Sequence, residues 1–564
     1  MDADFEIKDR DLAARIGRLR TSHGFMETPT ILPVINPGKM TVKPSDMKKF
    51  GAEGIITNSY ILWKNHQEEV LERGVHEFLG YRGPVMTDSG AFQLMEYGDL
   101  EVTNEEIIDF QKRIGVDIGV ILDIPTKSEK YDDVERCVDE TIKRARESQA
   151  LIKDDGILWS GPVQGSIHDD LLKRCAKEMA SLDFAVHPIG SVVPLLVQYK
   201  FAPHIKIIRA AKEILPANRP VHLFGAGHPM FFAFAVALGV DLFDSAAYAL
   251  YAKDKRYLTQ YGTKRFDELT YLPCSCPICS THSLNEFNEQ KLAMHNLYVT
   301  FEEIRTIKQA IRDKTLFELL EQRAHTHPEV FRAMEAFVKE TAYISKYDPI
   351  TKPHMFYLSK FSKHRTEFAR AKKRILPIKS RTQPLELFGR VPISVLECYP
   401  FSQTEDGSEQ EKEKSKNNFA KIRDVSLYWF GVNIFKETDR IRVSPKTKKI
   451  REVYEGGRVI ASFRASDFMI LLHEGAKRLF EKSSEGRVVV RDDVSPFIRD
   501  GKSVFAKHVV KCDKKIIPGQ QVLVVSEGGD LLASGEAMMN EKEMKDFKRG
   551  VAVSVRWGNK GAKK

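Results

Sequence analysis

The sequence lacks the features that mark membrane and secreted proteins. None of its 564 residues belongs to a run of about 18 apolar side chains, and the acidic start Met1-Asp-Ala-Asp-Phe-Glu6 has no apolar signal region. Cysteine is scarce: there are seven, an odd number, and three of them fall within six residues. This usage argues against a disulfide framework and favours a metal site in a reducing compartment. We therefore expect a cytoplasmic protein that contacts no membrane.

The chain also lacks a large excess of charge of either sign. Its 87 Lys and Arg against 78 Asp and Glu give a net charge of +9, so a basic surface has to come from clustering. Such a cluster lies between Lys360 and Arg381, where nine basic residues stand against one acidic residue, with Tyr357, Phe361 and Phe368 close by. Basic residues interleaved with aromatics are typical of a nucleic-acid contact, and a solvated helix face is the plainer alternative.

Eight short apolar runs alternate with longer segments of helical periodicity in the first half of the chain. Strands alternating with amphipathic helices indicate a parallel sheet covered on both faces, and eight such units favour an α/β fold with a closed (β/α)8 barrel over an open doubly wound sheet. Thr103 and Glu106 also have the spacing of a capping box at a helix start. The predicted strands are Ile31–Val34, Gly54–Tyr60, Pro84–Ser89, Val116–Asp123, Ile157–Gln164, Asp183–Gly190, Val221–Gly225 and Val240–Asp244.

Six of these runs end in a polar side chain or in glycine. In a barrel the carboxyl ends of the strands meet at one mouth, where the active sites of this fold lie. A single polar strand end signals no more than the turn that follows it, but six in succession point to a shared site. The six residues are Asp88, Asp123, Gln164, Gly190, Gly225 and Asp244.

Several of these positions suit a flat heterocycle. Asp123 and Gln164 offer carboxylate and amide groups to the polar edge of a guanine-like base, while Gly190 and Ser191 offer backbone groups at close approach. Aromatic residues follow two of the strands and could cover the ring on its faces, although a Phe beside Gly more often packs in a core. These are Phe92 and Phe224.

Asp88 and Asp244 suit displacement at the anomeric carbon of a sugar. One carboxylate attacks C1′ and forms a covalent intermediate, while the other handles the proton of the leaving and entering groups. Glycoside hydrolysis would use the same pair. Either residue could instead be a buried acceptor of backbone hydrogen bonds.

Close cysteine spacing predicts a metal site after the last strand. Cys274-Ser-Cys276-Pro-Ile-Cys279 is followed sixteen positions later by His295. Three thiolates and one imidazole form a closed tetrahedral site of the structural zinc type. From spacing alone, His282 is a rival for the fourth ligand, and a lone His in an apolar stretch is more often a core residue.

Four stretches stand in a distinctive order along the chain. They are Thr87-Asp-Ser-Gly-Ala-Phe-Gln93, His187-Pro-Ile-Gly-Ser-Val-Val-Pro194, Phe243-Asp-Ser-Ala-Ala-Tyr-Ala-Leu-Tyr-Ala252 and Cys274-Ser-Cys-Pro-Ile-Cys279. Together they resemble the tRNA-guanine transglycosylase family, in its archaeal, archaeosine-forming branch. The resemblance implies an enzyme that exchanges guanine at position 15 in the D arm of tRNA for free 7-cyano-7-deazaguanine, without ATP. It also implies a homodimer.

The resemblance assigns roles to the residues already singled out. Asp244 matches the nucleophile and Asp88 the general acid/base; the family has been interpreted both ways, and we expect Asp244 to attack. The base-recognition positions match Asp123, Gln164, Gly190 and Ser191, with Phe92 and Phe224 as stacking faces. The zinc pattern favours His295 over His282 and matches Cys274, Cys276, Cys279 and His295 as ligands of one structural zinc ion.

The end of the chain has a different character. Residues 487–564 are rich in predicted strands, and Asp493-Val-Ser-Pro-Phe-Ile-Arg-Asp-Gly501 resembles the PUA domain, a small β-barrel of RNA-modifying enzymes. A diverged paralogue that binds or acts on already modified tRNA is the alternative function. We expect a barrel with the zinc site over 1–345, a basic first accessory domain over 346–414, an α+β accessory domain over 415–486 and the PUA domain over 487–564.

Overall fold

The chain forms two compact units, Met1–Glu340 and Thr341–Lys564, each described by itself below. The structure is a computed structural model. Among the helices of the residues it describes, none combines the length and the apolar character needed to cross a bilayer. The described residues are 4–91, 102–153, 155–403, 417–465 and 468–559.

An antiparallel sheet that the sequence did not predict begins the first unit. Its strands are β1 (Phe5–Asp11), β2 (Ala14–Thr21) and β3 (Gly24–Thr28), paired in chain order. Arg15 on β2 is buried and forms a two-pronged ion pair with Asp241, both N–O distances being 2.8 Å. The sheet is therefore tied to the start of the last barrel strand.

The predicted eight-stranded barrel is confirmed. Two four-stranded parallel sheets, β5-β6-β7-β8 and β4-β11-β10-β9, are joined by parallel bridges from Val34 to Ile56 and from Ser160 to Val186, which close the ring. The strands are short and almost entirely buried, as apolar strands covered on both faces should be. They are β4 (Thr30–Pro33), β5 (Ile55–Asn58), β6 (Val85–Asp88), β7 (Ile118–Val120), β8 (Leu158–Ser160), β9 (His187–Ile189), β10 (Val221–Leu223) and β11 (Leu242–Ser245).

Helices cover the barrel and follow its strands. The predicted capping box is present: Thr103 accepts from the backbone N–H of Glu106, whose carboxylate accepts from the Thr103 N–H at 2.8 Å. Within the described ranges of this unit the helices are α1 (Met47–Phe50), α2 (Ser59–Leu79), α3 (Asn104–Arg113), α4 (Tyr131–Ser148), α5 (Asp169–Ser181), α6 (Val193–Val197), α7 (Phe201–Ile214), α8 (Pro229–Ala237), α9 (Ala247–Lys253), α10 (Pro277–Thr281), α11 (Glu289–Asp313), α12 (Leu316–Ala324) and α13 (Pro328–Phe337). A hairpin of β12 (Arg256–Thr259) and β13 (Gly262–Arg265) precedes α10.

The described residues of the second unit form three antiparallel or mixed sheets. A hairpin, β14 (Thr382–Leu385) and β15 (Gly389–Pro392), is followed by a four-stranded antiparallel sheet of β16 (Arg440–Val443), β17 (Ile450–Glu455), β18 (Arg458–Phe463) and β19 (Met469–Leu471). The last sheet has the order β21-β25-β24-β23-β20-β22 and comprises β20 (Arg487–Val490), β21 (Val504–Phe505), β22 (Val509–Cys512), β23 (Gln521–Ser526), β24 (Leu531–Ala537) and β25 (Val551–Gly558). The helices are α14 (Thr341–Ile344), α15 (Thr366–Ile375), α16 (Asn418–Phe430), α17 (His473–Lys482), α18 (Ser495–Arg499) and α19 (Glu541–Asp546).

One buried cluster spans this unit, from Phe368 on α15 through Val453 on β17 to Leu523 on β23. The predicted basic stretch contributes to it. Phe361 and Phe368 are buried, so they do not stack on a nucleic-acid base as the sequence suggested. Arg365 is buried against Glu367, and the Arg374 guanidinium lies over the Tyr428 and Trp429 rings. The exposed cations of the stretch include Lys372 and Lys373.

Candidate active site and metal centre

A cavity of about 600 Å³ opens at the carboxyl ends of the barrel strands. The sequence predicted that the polar strand ends would meet there, and in the structure they line this one cavity. Phe92 is the exception, because it lies outside the described residues. The predicted site residues that line the cavity are Asp88, Asp123, Gln164, Gly190, Ser191, Phe224 and Asp244.

Three side chains form a connected hydrogen-bond chain on one side of the cavity. Ser191 donates its hydroxyl to Gln164 Oε1 at 2.6 Å, and Gln164 Nε2 donates to Asp123 Oδ2 at 2.5 Å. Among the described residues, the other Asp123 oxygen, Oδ1, has no hydrogen-bond partner although it is buried. Burial raises the pKa of Asp123 to about 6. At neutral pH this carboxylate is therefore mostly ionised and offers a free acceptor to a ligand.

Close packing favours glycine at position 190, and the hydroxyl of Ser191 makes two hydrogen bonds beside it. A Cβ at Gly190 would lie 2.2 Å from Gln164 Nε2, a distance that no side chain tolerates. Ser191 has φ 56°, in the left-handed region, and its hydroxyl accepts from the Thr126 N–H at 2.9 Å. The two residues thus set the position of the Gln164 amide from both sides.

Asp88 ends β6 beside a helix start. Asn58 donates Nδ2 to Asp88 Oδ2 at 3.0 Å, while its own Oδ1 caps α2 by accepting from the Ile61 N–H at 2.9 Å. Burial, and next the charges of Asp123 and Asp244, raise the pKa of Asp88 to about 7. This carboxyl group can therefore both hold and release a proton near neutral pH.

Asp244 on β11 is held differently. His222 on the adjacent strand β10 places Nε2 2.9 Å from Asp244 Oδ1, and the Gly225 N–H donates to the same oxygen at 2.9 Å. Among the described residues no donor reaches Oδ2. The side chain of Asp244 is 14% exposed, whereas His222 is fully buried. One carboxylate oxygen is anchored and the other remains available to a reactant.

Two of these partners escaped sequence reasoning. Asn58 and His222 lie inside predicted strands, at positions that the apolar pattern assigns to the core. The alternation of side chains along a strand could have indicated His222. It stands two residues before Phe224, so the two side chains face the same side of the strand. The His222 ring meets the ring of Phe224 edge-on, with centroids 4.8 Å apart.

The cysteine cluster forms a second centre. The Cys274, Cys276 and Cys279 sulfurs and a His295 ring nitrogen lie within 4.8 Å of one another, as a metal ion requires. His295 Nε2 lies 2.9 Å from the Leu258 carbonyl oxygen, so its N–H points there and the Nδ1 lone pair faces the thiols. His282 instead lies 3.0 Å from the Ile278 carbonyl oxygen and is outside the cluster.

A further group, His23, His76 and Asp117, lies just before β7, at the opposite ends of the strands from the cavity. Asp117 accepts from the backbone N–H groups of His23 (2.8 Å) and Val85 (2.9 Å), and both His rings approach it at 3.1 and 3.2 Å. These contacts occupy the lone pairs of a buried carboxylate. We interpret the group as a hydrogen-bond cluster that braces the base of the barrel.

Comparison with known proteins identifies the family. The family described as "Queuine tRNA-ribosyltransferase" matches residues 9–329. The family described as "Patch-forming domain C2 of tRNA-guanine transglycosylase" matches residues 420–485, and the PUA domain family matches residues 486–558.

Full-length relatives agree with these matches. The tRNA-guanine(15) transglycosylase of Pyrococcus furiosus is 44% identical, with 98% of each chain covered. That of Methanocaldococcus jannaschii is 41% identical, with 99% of each chain covered, and that of Methanothermobacter thermautotrophicus is 37% identical over the same share. The resemblance found in the sequence motifs is confirmed: the chain belongs to the tRNA-guanine transglycosylase family, in its archaeal branch with a C-terminal PUA domain.

Proposed function

We propose that this enzyme exchanges guanine at position 15 of tRNA for 7-cyano-7-deazaguanine, the tRNA step of archaeosine formation. The strongest support is that one cavity brings together two differently held carboxylates and a buried acceptor, Asp123 Oδ1, to which no described residue donates. The relatives named tRNA-guanine(15) transglycosylase support the choice of tRNA position. The reaction needs no ATP, because one N-glycosidic bond replaces another.

Asp123 and Gln164 recognise the polar edge of the base in this proposal. Guanine and 7-cyano-7-deazaguanine share that edge, with N1–H and a 2-amino group as donors. Oδ1 of Asp123, which has no partner within the described ranges, accepts from these donors, while adenine would place its N1 lone pair against the carboxylate. Since the two bases differ on the opposite side, one pocket accepts both the leaving and the entering base. Phe224 covers a face of the ring, and Phe92 is assigned the other face from the family resemblance alone.

The two catalytic carboxylates divide the chemistry. Asp244 attacks C1′ of the ribose through Oδ2; the bond from C1′ to guanine N9 breaks, and Asp88 gives its proton to the departing base. The incoming base then loses its N9 proton to Asp88 and attacks C1′, which releases Asp244. The raised pKa of Asp88 and the anchored Oδ1 of Asp244 favour this assignment over the reverse.

We assign one structural zinc ion to Cys274, Cys276, Cys279 and His295. Three thiolates and an imidazole suit tetrahedral Zn²⁺ and leave no position for a substrate. Neighbouring residues hold the histidine ligand in place. The Leu258 carbonyl on β12 orients His295, and Tyr257 stacks on the His295 ring with centroids 3.7 Å apart. The ion would thus tie α10 and α11 to the hairpin that follows the barrel.

The remaining assignments follow from the substrate. We infer that the enzyme works in the cytoplasm, where tRNA is available, as a homodimer of the kind the family favours. Its PUA domain and the accessory regions are proposed to grip the tRNA while the D arm is opened, because a base inside folded tRNA must leave its stack to reach the cavity. We retain the division 1–345, 346–414, 415–486 and 487–564 for these domains.

A direct test is incorporation of radiolabelled guanine into unmodified tRNA. We expect incorporation by the wild-type enzyme, none by Asp244→Asn, and none into tRNA carrying adenine at position 15. A denaturing gel should show a protein–tRNA adduct with the wild type, a more slowly formed adduct with Asp88→Asn, which retains the nucleophile but lacks the acid, and none with Asp244→Asn. Incorporation that survives in Asp244→Asn would overturn the assignment of the nucleophile.

A further inference from the structure

We infer that His222 is a positioning residue for the nucleophile, which directs Asp244 Oδ2 at the ribose and helps the carboxylate to leave in the second half of the exchange. This inference rests on the proposed function, because it assigns a role within that reaction. It concerns a buried residue that is not part of the cavity lining.

The contact between the two side chains fixes where the proton lies. Oδ1 of Asp244 is a carboxylate oxygen and only accepts, so the ring nitrogen 2.9 Å away, Nε2 of His222, must carry hydrogen. The other ring nitrogen, Nδ1, is buried and has no hydrogen-bond partner among the described residues. The ring is therefore committed to one polar contact, that with Asp244.

The second donor to Oδ1 shows which oxygen is reactive. The Gly225 N–H reaches the same atom at 2.9 Å, so two donors converge on Oδ1 and, within the described residues, none reaches Oδ2. A carboxylate held through one oxygen cannot rotate about its Cβ–Cγ bond without losing both contacts. The lone pairs of Oδ2 are thereby kept in one direction, toward the cavity that Asp244 lines.

Packing prevents His222 from following any movement of Asp244. The ring is fully buried, and it meets Phe224 edge-on with centroids 4.8 Å apart. β10 and β11 are paired so that His222 lies opposite Leu242, two residues before Asp244. The position of the imidazole is thus set by the register of β10 and β11 and by contact with Phe224, which lines the cavity.

The negative charge on Oδ1 of Asp244 changes during the reaction. His222 therefore affects the energy of the reaction as well as the direction of the carboxylate. When Oδ2 bonds to C1′, the carboxylate becomes a neutral ester and Oδ1 becomes its carbonyl oxygen. When the second base attacks C1′, the Oδ2–C1′ bond breaks and negative charge returns to the carboxylate. Because hydrogen bonds to ionised acceptors are stronger than those to neutral ones, the Nε2–H assists this departure.

The test compares His222→Leu, which removes the donor, with His222→Gln, whose amide can still donate. In His222→Leu we expect kcat for guanine exchange to fall by about 10- to 100-fold, the effect of losing one charge-assisted hydrogen bond. The KM values for tRNA and free base should change by less than about threefold, since these ligands do not contact the ring. Without added base, the protein–tRNA adduct should still form, and its breakdown on adding 7-cyano-7-deazaguanine should be slower than in wild type. His222→Gln should recover at least part of the rate.

His187→Leu is the matched control, because His187 is equally buried on the neighbouring strand β9 and bonds to the Gly161 carbonyl oxygen rather than to Asp244. It should lower thermal stability without slowing adduct breakdown relative to adduct formation. If His222→Leu breaks the adduct down at the wild-type rate, or if the control slows it equally, the positioning role is wrong. If the wild-type enzyme forms no adduct and exchanges no guanine, the proposed function itself fails.

Discussion

Ser191 donates its hydroxyl hydrogen to Gln164 Oε1 across 2.6 Å, and this bond decides which way the Gln164 amide faces. With Oε1 occupied by a donor, Nε2 is turned to Asp123 and cannot exchange places with the oxygen. Replacement by glycine removes the hydroxyl without straining a backbone at φ 56°. We expect Ser191→Gly to raise KM for the free base by about 10-fold, the usual effect of losing one hydrogen bond, with a smaller change in kcat. Steady-state guanine exchange measures both constants.

The control for that variant is Ser166→Gly. Ser166 likewise has a positive φ, at 49°; it is buried, whereas Ser191 is partly buried, and it does not line the cavity. It should leave KM for the base unchanged. An equal rise in KM in both variants would mean that loss of serine, rather than loss of the Gln164 contact, is responsible.

Gly190→Ala should impair base recognition more strongly. The added Cβ would lie 2.2 Å from Gln164 Nε2, so the amide must move and its bond to Asp123 Oδ2 is lost. We expect at least about a 100-fold lower kcat/KM for the free base, because two buried polar groups lose their partners at once. Gly528→Ala, where a Cβ meets nothing nearer than 3.7 Å, is the control and should behave as wild type. Isothermal titration with 7-cyano-7-deazaguanine would separate lost binding from slower chemistry.

Asp88 should give the exchange reaction a pH limit near neutrality. Its pKa is raised to about 7 by burial and by the Asp123 and Asp244 charges, so the protonated acid is depleted at higher pH. We expect kcat to fall above about pH 7 if departure of guanine limits the rate. Rates measured with a more acidic leaving base should be less sensitive to pH, and a flat profile with guanine would contradict the role of Asp88 as the acid.

The same raised pKa predicts a stability effect. A group whose pKa is higher in the folded than in the unfolded chain stabilises the fold most below the unfolded value, about pH 4, and this contribution is lost as pH rises through about 7. Asp88→Asn, which does not ionise, should therefore gain stability over wild type at pH 8, by at most about 4 kcal/mol. Chemical denaturation at pH 5 and pH 8 would show whether the gain grows with pH.

Metal analysis tests the cysteine centre. Cys276→Ala should lose stoichiometric zinc and unfold at a lower temperature, because removing one of four ligands leaves an incomplete site. His282→Ala should keep its zinc, since His282 bonds to the Ile278 carbonyl oxygen outside the cluster. Zinc retained by Cys276→Ala, or lost from His282→Ala, would refute the ligand set.

Asp117 should contribute to stability with the opposite pH dependence from Asp88. Burial alone would raise its pKa, but hydrogen bonds from His76, Val85 and His23 outweigh that effect and lower it. The stabilisation is therefore present above about pH 4 and lost as pH falls through the lowered value. Asp117→Asn should cost about 2–3 kcal/mol at pH 7, since an amide cannot accept from all four donors. In acid titrations followed by circular dichroism, the variant should lose less stability than wild type below pH 4.

The barrel and most of its cavity were predictable because their signals are local. Each strand is a short apolar run, and parallel strands bring their carboxyl ends together whatever the details of packing. Asp88, Asp123, Gln164 and Asp244 could be assembled on that basis alone, before any side-chain contact was known.

What the sequence did not predict depends on contacts between distant segments. His222 looks like one more residue of a buried strand until the register of β10 and β11 places it beside Asp244. The charged, alternating residues of β1 gave no apolar run from which a strand could be inferred. Phe361 and Phe368 looked available to RNA because a basic stretch does not reveal which of its aromatic residues face a core in the tertiary fold.

Contacts to a carboxylate hold strand β11 at both ends. Asp241, just before the strand, forms an ion pair with Arg15, and Asp244, near its end, accepts hydrogen bonds from His222 and from the Gly225 N–H. Only two residues, Leu242 and Phe243, lie between the anchor Asp241 at one end of the strand and the reacting group Asp244 at the other. Such a short, doubly fixed segment has almost no freedom to adapt its shape to a ligand. The movement that brings the carboxylate and the ribose together must therefore come from the nucleic acid, so tRNA flexibility, rather than closure of the barrel, should govern which nucleotides can react.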